Sequence, residues 1–413
     1  MVLLFCYTAK IWENVPMNSD IDENASESGN VGGGSNFSRI ATVFAVSLVF
    51  QVIQVGAFPI YLSQKMLGLG FESWVIGFCA AISWLTILAL GPVMPRSLRL
   101  LGYQWAAALS VLLTVIGLAL IAFSDGLAAI IGAAVAVGSG LIIRWIAFDA
   151  LVVEIASETK RGSTVGLHEA LMGFGIALGP LFFILLPLHL VPLACIGLTL
   201  LALLAFQAVD CPPPARSRSG ASHSDWLKIL APLAPALLAA FVAGSVESAG
   251  IALFPVHFQY LGFSLSQAAI LVTAFGLGGT LLQPPLGTVA DRSGYRLAHG
   301  LCILVMAASG LILVAFPGNL QVTAAAIFLL GGAAGGFNTL AVIEAGTRMR
   351  SADIPAAMTA IAMTYTAGGV VGPVISGAVI GIASNQGMVW TFILMAVVLG
   401  VLMFGGARIL PRS

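Results

Sequence analysis

The sequence predicts an all-α integral membrane protein with twelve transmembrane helices in two six-helix bundles related by a pseudo-two-fold axis. Three observations lead there. Only 8% of the 413 residues are charged and 59% are hydrophobic, a composition that a water-soluble domain of this length could not cover with polar surface. Apolar stretches long enough to cross a bilayer, roughly 20 residues at about 1.5 Å each, recur twelve times. Lys and Arg collect in every second connection between those stretches.

The predicted spans lie at about 39–63, 73–94, 102–123, 127–153, 164–188, 190–209, 229–261, 266–290, 297–316, 321–347, 355–383 and 387–409. Helices are the expected element, because an unpaired backbone group in lipid is costly and no short alternating segments suggest a barrel. Fifteen of the seventeen Lys and Arg fall on one side of the pattern, from Lys10 and Arg39 to Arg408 and Arg412. Lys65 lies in an opposite connection and Arg144 inside a span. By the positive-inside rule the biased side is cytoplasmic, and both termini are expected there. The net charge of zero gives no reason to expect a nucleic-acid partner.

Residues 18–36 are acidic and rich in Gly, Ser and Asn, so the segment 1–38 is expected to be a disordered cytoplasmic extension. Its opening, MVLLFCYTAK, lacks the basic start of a signal peptide, and Met17 is a candidate true start. A Pro- and Ser-rich stretch at 210–228 divides a first bundle, 39–209, from a second, 229–413, and such a linker permits the bundles to move against each other. Cysteines 6, 79, 195, 211 and 302 form no C-x-x-C and read as packing residues, with no metal assigned. The compact size and lack of a transit sequence suggest a bacterial inner membrane.

The halves also resemble each other. FPIYLSQKMLGLGF from Phe58 matches FPVHFQYLGF from Phe254 apart from a four-residue insertion, and Gly179-Pro180 and Gly372-Pro373 occupy corresponding fifth spans. Parallel repeats of this kind imply a pseudo-two-fold axis along the membrane normal with a cavity at the interface.

Between spans eight and nine the chain reads GTVADRSGYR, containing Gly287, Asp291, Arg292, Gly294 and Arg296. This resembles the signature loop of the major facilitator superfamily, G-x-L-A-D-R-x-G-R-R, and covers the chain from about 39 to 409 when taken with the twelve spans and the repeat. The resemblance implies a monomeric carrier whose halves rock around a central small-molecule site, with no cofactor. The first-half copy reads GPVMPRSLR from Gly91, including Arg96 and Arg99, with Pro95 where Asp is expected and Leu98 where the second Gly is expected. In the family that Asp faces the start of span eleven, where the helix dipole favours a negative charge. Here Asp353 precedes span eleven and is expected to cap it. Gly166, Gly175 and Gly179-Pro180 are similar to the Gly-rich pattern of span five in the family's antiporters. Helix packing by small residues is the other reading of these glycines. The run GGAAGG at 331–336 follows no strand and is read as packing, not as a nucleotide loop.

Ionisable groups inside spans are functional candidates, because placing one there costs at least about 2.5 kcal/mol. Arg144 lies about eleven residues, roughly 16 Å, from the cytoplasmic end of span four, near the midplane. An Arg in this span resembles the proton-coupling Arg of the family's antiporters. Glu247 of span seven corresponds to Gln51 of span one under the Phe-Pro alignment. Since first spans of each half line the cavity in this family, Gln51, Gln54 and Glu247 are assigned to the substrate route and Glu247 to the proton. Glu169, beside His168, belongs either to a proton path or to the hydrated inner mouth. Glu344 is expected to pair with Arg292 or Arg296, and Asp149 or Glu154 with Arg96 or Arg99, as ion pairs of an inner gate. Trp84, Trp145, Phe337, Asn338 and Tyr365 are candidate cavity-lining groups.

The expected function is proton-coupled export of a small molecule. Uptake by symport and a non-transporting receptor or scaffold are the alternatives. No H-E-x-x-H, G-x-S-x-G or clustered acid motif points to an enzyme.

Overall fold

The computed structural model describes residues 33–157, 161–214, 226–350 and 353–404, and residues 39–404 within that set pack as one compact unit. The N-terminal extension to residue 32, the middle of the linker and residues 405–413 lie outside the described residues. The principal helices are α1 (Gly33–Gln51), α2 (Phe58–Gly68), α3 (Ser73–Leu90), α4 (Met94–Phe123), α5 (Leu127–Ile155), α6 (Arg161–Leu178) and α7 (Val191–Gln207) in the first half. The second half has α8 (Trp226–Tyr260), α9 (Leu265–Leu281), α10 (Gln283–Ser293), α11 (Tyr295–Ala315), α12 (Leu320–Arg348), α13 (Ile354–Val379) and α14 (Gly387–Phe404).

Among the described residues, eleven continuous helical stretches are long and apolar enough to cross a membrane, and one of them, Ser73–Phe123, has 51 residues. At about 1.5 Å per residue that is more than twice a hydrocarbon core of about 30 Å, so the stretch holds two crossings and the total is twelve. It breaks at Gly102, whose φ of 73° and ψ of 167° are closed to most side chains. Gly294, between α10 and α11, has nearly the same conformation, with φ 86° and ψ 150°.

This corrects the sequence reading of the first-half signature. Its second glycine is Gly102 and not the position of Leu98, and Gly102-Tyr103 parallels Gly294-Tyr295. Most of the signature is helical: Gly287–Ser293 lies within α10, so only Gly294 acts as a hinge.

Span one is α1 and α2 joined through Val52–Ala57, which is wound as a π-helix. Pro59 supplies a reason. It lacks the N–H that would bond to the Val55 carbonyl, and its ring crowds that carbonyl. The matching Pro255 sits inside the continuous helix α8.

The halves meet most closely toward the side away from the signature segment. There Gln259 Nε2 donates to Gln64 Oε1 at 2.7 Å, and the Ser73 and Tyr260 hydroxyls are 2.9 Å apart. A Cβ on Gly77 would run into the Pro373 carbonyl, and one on Gly377 would come within 2.6 Å of the Ser73 carbonyl. Further in, Gly276 abuts Ala177 and Gly173 abuts Thr280. Small residues at these crossings let backbones touch, which is how helices associate where the hydrophobic effect supplies little drive.

The GGAAGG run does the same within the second half. Gly331 faces the Phe275 carbonyl, and a Cβ on Gly335 would lie 2.5 Å from the Gly279 carbonyl.

Candidate functional site

Two polar networks flank the interface between the halves at mid-span. In the first half Arg144 is 2% exposed. Its Nε donates to Gln54 Oε1 at 2.8 Å, its Nη2 to Gln51 Oε1 at 2.6 Å, and its Nη1 lies 3.7 Å from Met172 Sδ. Gln54 Nε2 in turn donates to Thr114 Oγ1 at 2.8 Å, and Ser110 Oγ donates to the Gly140 carbonyl at 2.8 Å. Spans one, three, four and five are thus tied to one guanidinium. A buried donor left without a partner costs about 1–3 kcal/mol, and more if charged, so each glutamine oxygen matters here.

The local sequence makes room for this. A Cβ on Gly140 would approach Thr114 Oγ1 to 2.7 Å, and a Cβ on Gly175 would approach Gln51 Cγ to 2.6 Å. A Cβ on Gly179 would strike the Gly56 backbone. The span-five glycines that resemble the antiporter pattern are therefore packed on span one, where Gly175 leaves space for the Gln51 side chain. Gly166 has open space around it.

In the second half the Glu247 carboxylate of α8 lies beside the Tyr365 hydroxyl of α13. Tyr365 meets Trp84 of α3 edge to face, with ring centroids 5.9 Å apart, and Trp84 also covers Gly369. Glu247, Tyr365 and Trp84 thus join span seven and span eleven to span two across the interface. Between the networks is a cavity of about 20 Å³ lined by Gln54, Ser83, Trp84, Leu141, Ser248 and Ile251. It has room for about one water molecule.

The remaining candidates are dispersed. Asn338 and Trp145 are half-buried, and Glu169 is exposed on α6. Phe337 does not line the cavity; it is fully buried and stacks on His299 at 6.3 Å.

The expected gate pairs are re-formed with nearer partners. Glu344 pairs with Arg348, one turn along the same helix, at 2.7 Å, not with Arg292 or Arg296. Arg348 also donates to the Pro232 carbonyl and stands over the Tyr295 ring, whereas Arg296 stands over Phe404. Asp149 approaches His168, at 3.7 Å, and not Arg96 or Arg99, both of which are exposed. Asp353 holds the N-cap position of α13 but makes no side-chain cap. Its carboxylate turns back to Arg350 Nε at 2.8 Å.

Sequence reasoning missed Ser110, Thr114 and Met172 as partners of this site. The polar pair one turn apart in an otherwise apolar third span was the available signal for the first two. Met172 carries none, since it reads as core.

The fold is that of a twelve-span, all-helical membrane protein with a polar network in each half. Residues 236–413 match the profile of the Major Facilitator Superfamily. A stretch of 232 residues is 27% identical to an uncharacterized MFS-type transporter, YfkF of Bacillus subtilis (strain 168), and the match spans 55% of this chain and 59% of that protein. Crystal structures of the nucleoside transporter NupG are similar in fold. A single-residue mutant of NupG superposes with a TM-score of 0.75 at 14% identity, over 89% of this chain and 99% of that one. A second NupG structure gives 0.71 at 14% identity, over 91% and 100%.

Proposed function

We propose that the protein is a secondary transporter that exports a small molecule in exchange for protons by alternating access. The observation that carries this reading is the pair of polar networks, the buried Arg144–Gln51–Gln54 and the partly buried Glu247–Tyr365–Trp84, on either side of the interface. A scaffold gains nothing from burying such costly groups. A carrier uses them to bind a polar part of its cargo and to hold a proton.

The two halves, 39–209 and 229–413, rock about the small central cavity, and in the present conformation the side away from the signature is closed. The positive-inside pattern makes the signature side cytoplasmic in a bacterial inner membrane. Glu247 is the proton site. A proton crossing 100 mV releases about 2.3 kcal/mol, enough for roughly a fifty-fold substrate gradient. Export in preference to uptake is supported by Arg144 and by the packing of Gly175 and Gly179 on span one.

The test is internal pH in proteoliposomes challenged with drugs, sugars, organic acids and nucleosides under an imposed proton gradient. Substrate-induced proton efflux or influx is expected from the wild type and not from Glu247→Gln. Equal flux in both would remove Glu247 from the mechanism, and substrate movement without proton movement would replace antiport by uniport.

A further inference from the structure

We propose that Asp149, His168 and Glu169 form a binding site for one divalent transition-metal ion, bridging spans four and five on the signature side of the first half. One ligand atom from each of the three lies within 4.8 Å of the others. His168 is 1% exposed, and its Nε2 is 2.8 Å from Ser47 Oγ of span one, with the Phe44 ring 5.4 Å away. That hydrogen bond fixes the ring and leaves Nδ1 aimed at the carboxylates, 3.7 Å from Asp149 Oδ1. A distance of 3.7 Å is too long for a hydrogen bond. It is close to the spacing of two ligands about 2.0–2.2 Å from a shared ion.

The charges support a cation. Among the described ion pairs no Lys or Arg reaches either carboxylate, and Arg144, the nearby cation, spends its described donors on Gln51, Gln54 and Met172. Two acids and an imidazole therefore converge with one cation, Arg144, near enough to act on all three but in no described ion pair with any of them. An imidazole with two carboxylates suits zinc, cobalt, nickel or manganese better than magnesium or calcium, which take oxygen alone. Ser47 supplies the outer hydrogen bond that ligating histidines usually have. Glu169 is exposed and the Asp149 side chain is 37% exposed, which gives an entry path and leaves positions for water. The site does not depend on the transport reading, and binding is measured without transport.

The test uses the full chain in detergent without a polyhistidine tag. It combines equilibrium dialysis with Zn²⁺ and a titration with Co²⁺ followed by visible absorption. One ion per chain is expected, with loss of binding in His168→Ala and affinity reduced at least about tenfold in Asp149→Asn and Glu169→Gln. Ser47→Ala, which removes no ligand, should weaken binding about tenfold with the protein still folded by size-exclusion profile. Cys211→Ser and His257→Asn should bind as the wild type. The proposal is overturned if the wild type takes up neither ion at millimolar concentration. It is also overturned if the Asp149→Asn, Glu169→Gln double variant binds as tightly as the wild type.

Discussion

At the scale of single residues, the candidate site is organised around one guanidinium and the two amides that receive it. Arg144 and Glu247 could be found in the sequence because an ionisable group in an apolar span is rare for a physical reason, its desolvation. Their partners were only half legible. Gln51 was reached through the Phe-Pro repeat that aligns it with Glu247, and Gln54 followed from the same span. The repeat extends further than the sequence reading took it. The offset of 193 residues that relates Gly179 to Gly372 also relates Gly175 to Gly368 and Met172 to Tyr365. Met172 touches Arg144 while Tyr365 lies beside Glu247, so equivalent positions in the two halves serve the two networks. Partners of the charges expected at the inner gate were not legible. Arg348 takes Glu344 because it is one turn away, and Arg350 takes Asp353 for the same local reason. A lysine at 144 would retain charge but could not direct a planar fork at both glutamines. Arg144→Lys should lower substrate-driven proton flux in proteoliposomes by roughly tenfold or more, equivalent to about 1.4 kcal/mol. Arg144→Leu should in addition lower thermal stability in detergent, because the buried Gln51 and Gln54 oxygens lose their donor at about 1–3 kcal/mol each. Full activity in Arg144→Lys would show that charge alone suffices.

At the scale of elements, hydrophobic length located all twelve spans, because crossing the bilayer fixes how long an apolar run must be. It could not show how spans are interrupted. The π-wound turn at Val52–Ala57 follows from Pro59 in retrospect, yet Pro255 at the matching place leaves α8 unbroken, so the proline permits the distortion and the packing around span one selects it. The hinge of the first-half signature was misplaced because an ungapped comparison cannot register an insertion. The backbone identifies Gly102 directly. A Cβ there would meet nothing within 4 Å, so any effect of adding one is backbone strain and not a clash. Gly102→Ala should therefore destabilise the protein by about 1–3 kcal/mol, whereas Gly91→Ala, with equal space and an ordinary helical φ of −46°, should change little. Thermal unfolding of both variants in one detergent checks this. Equal midpoints would mean that the break at Gly102 within α4 adapts to a side chain without cost.

At the scale of the whole molecule, the glycine crossings give the interface two unlike ends. Gly77 against Pro373 and Gly377 brings span two onto span eleven with backbone contact, and Gln64 and Gln259, both within the repeated Phe-Pro segments, bond across the same side. Contacts this close are all or none, because a helix pair cannot separate gradually while its backbones interlock. If the halves exchange access, this side must part once in each cycle. A short thiol-to-thiol cross-linker between Gln64→Cys and Gln259→Cys, with Cys6 and Cys211 replaced by Ser, should therefore arrest transport while leaving substrate binding from the signature side intact. Gly77→Val should act oppositely, forcing span two off span eleven and lowering the cross-linking yield at the same reagent concentration. Counterflow of labelled substrate in proteoliposomes measures the first and gel mobility the second. Cross-linked protein that transports at the rate of the unlinked pair would mean that this side is a fixed seam, and that the moving gate lies elsewhere in the interface.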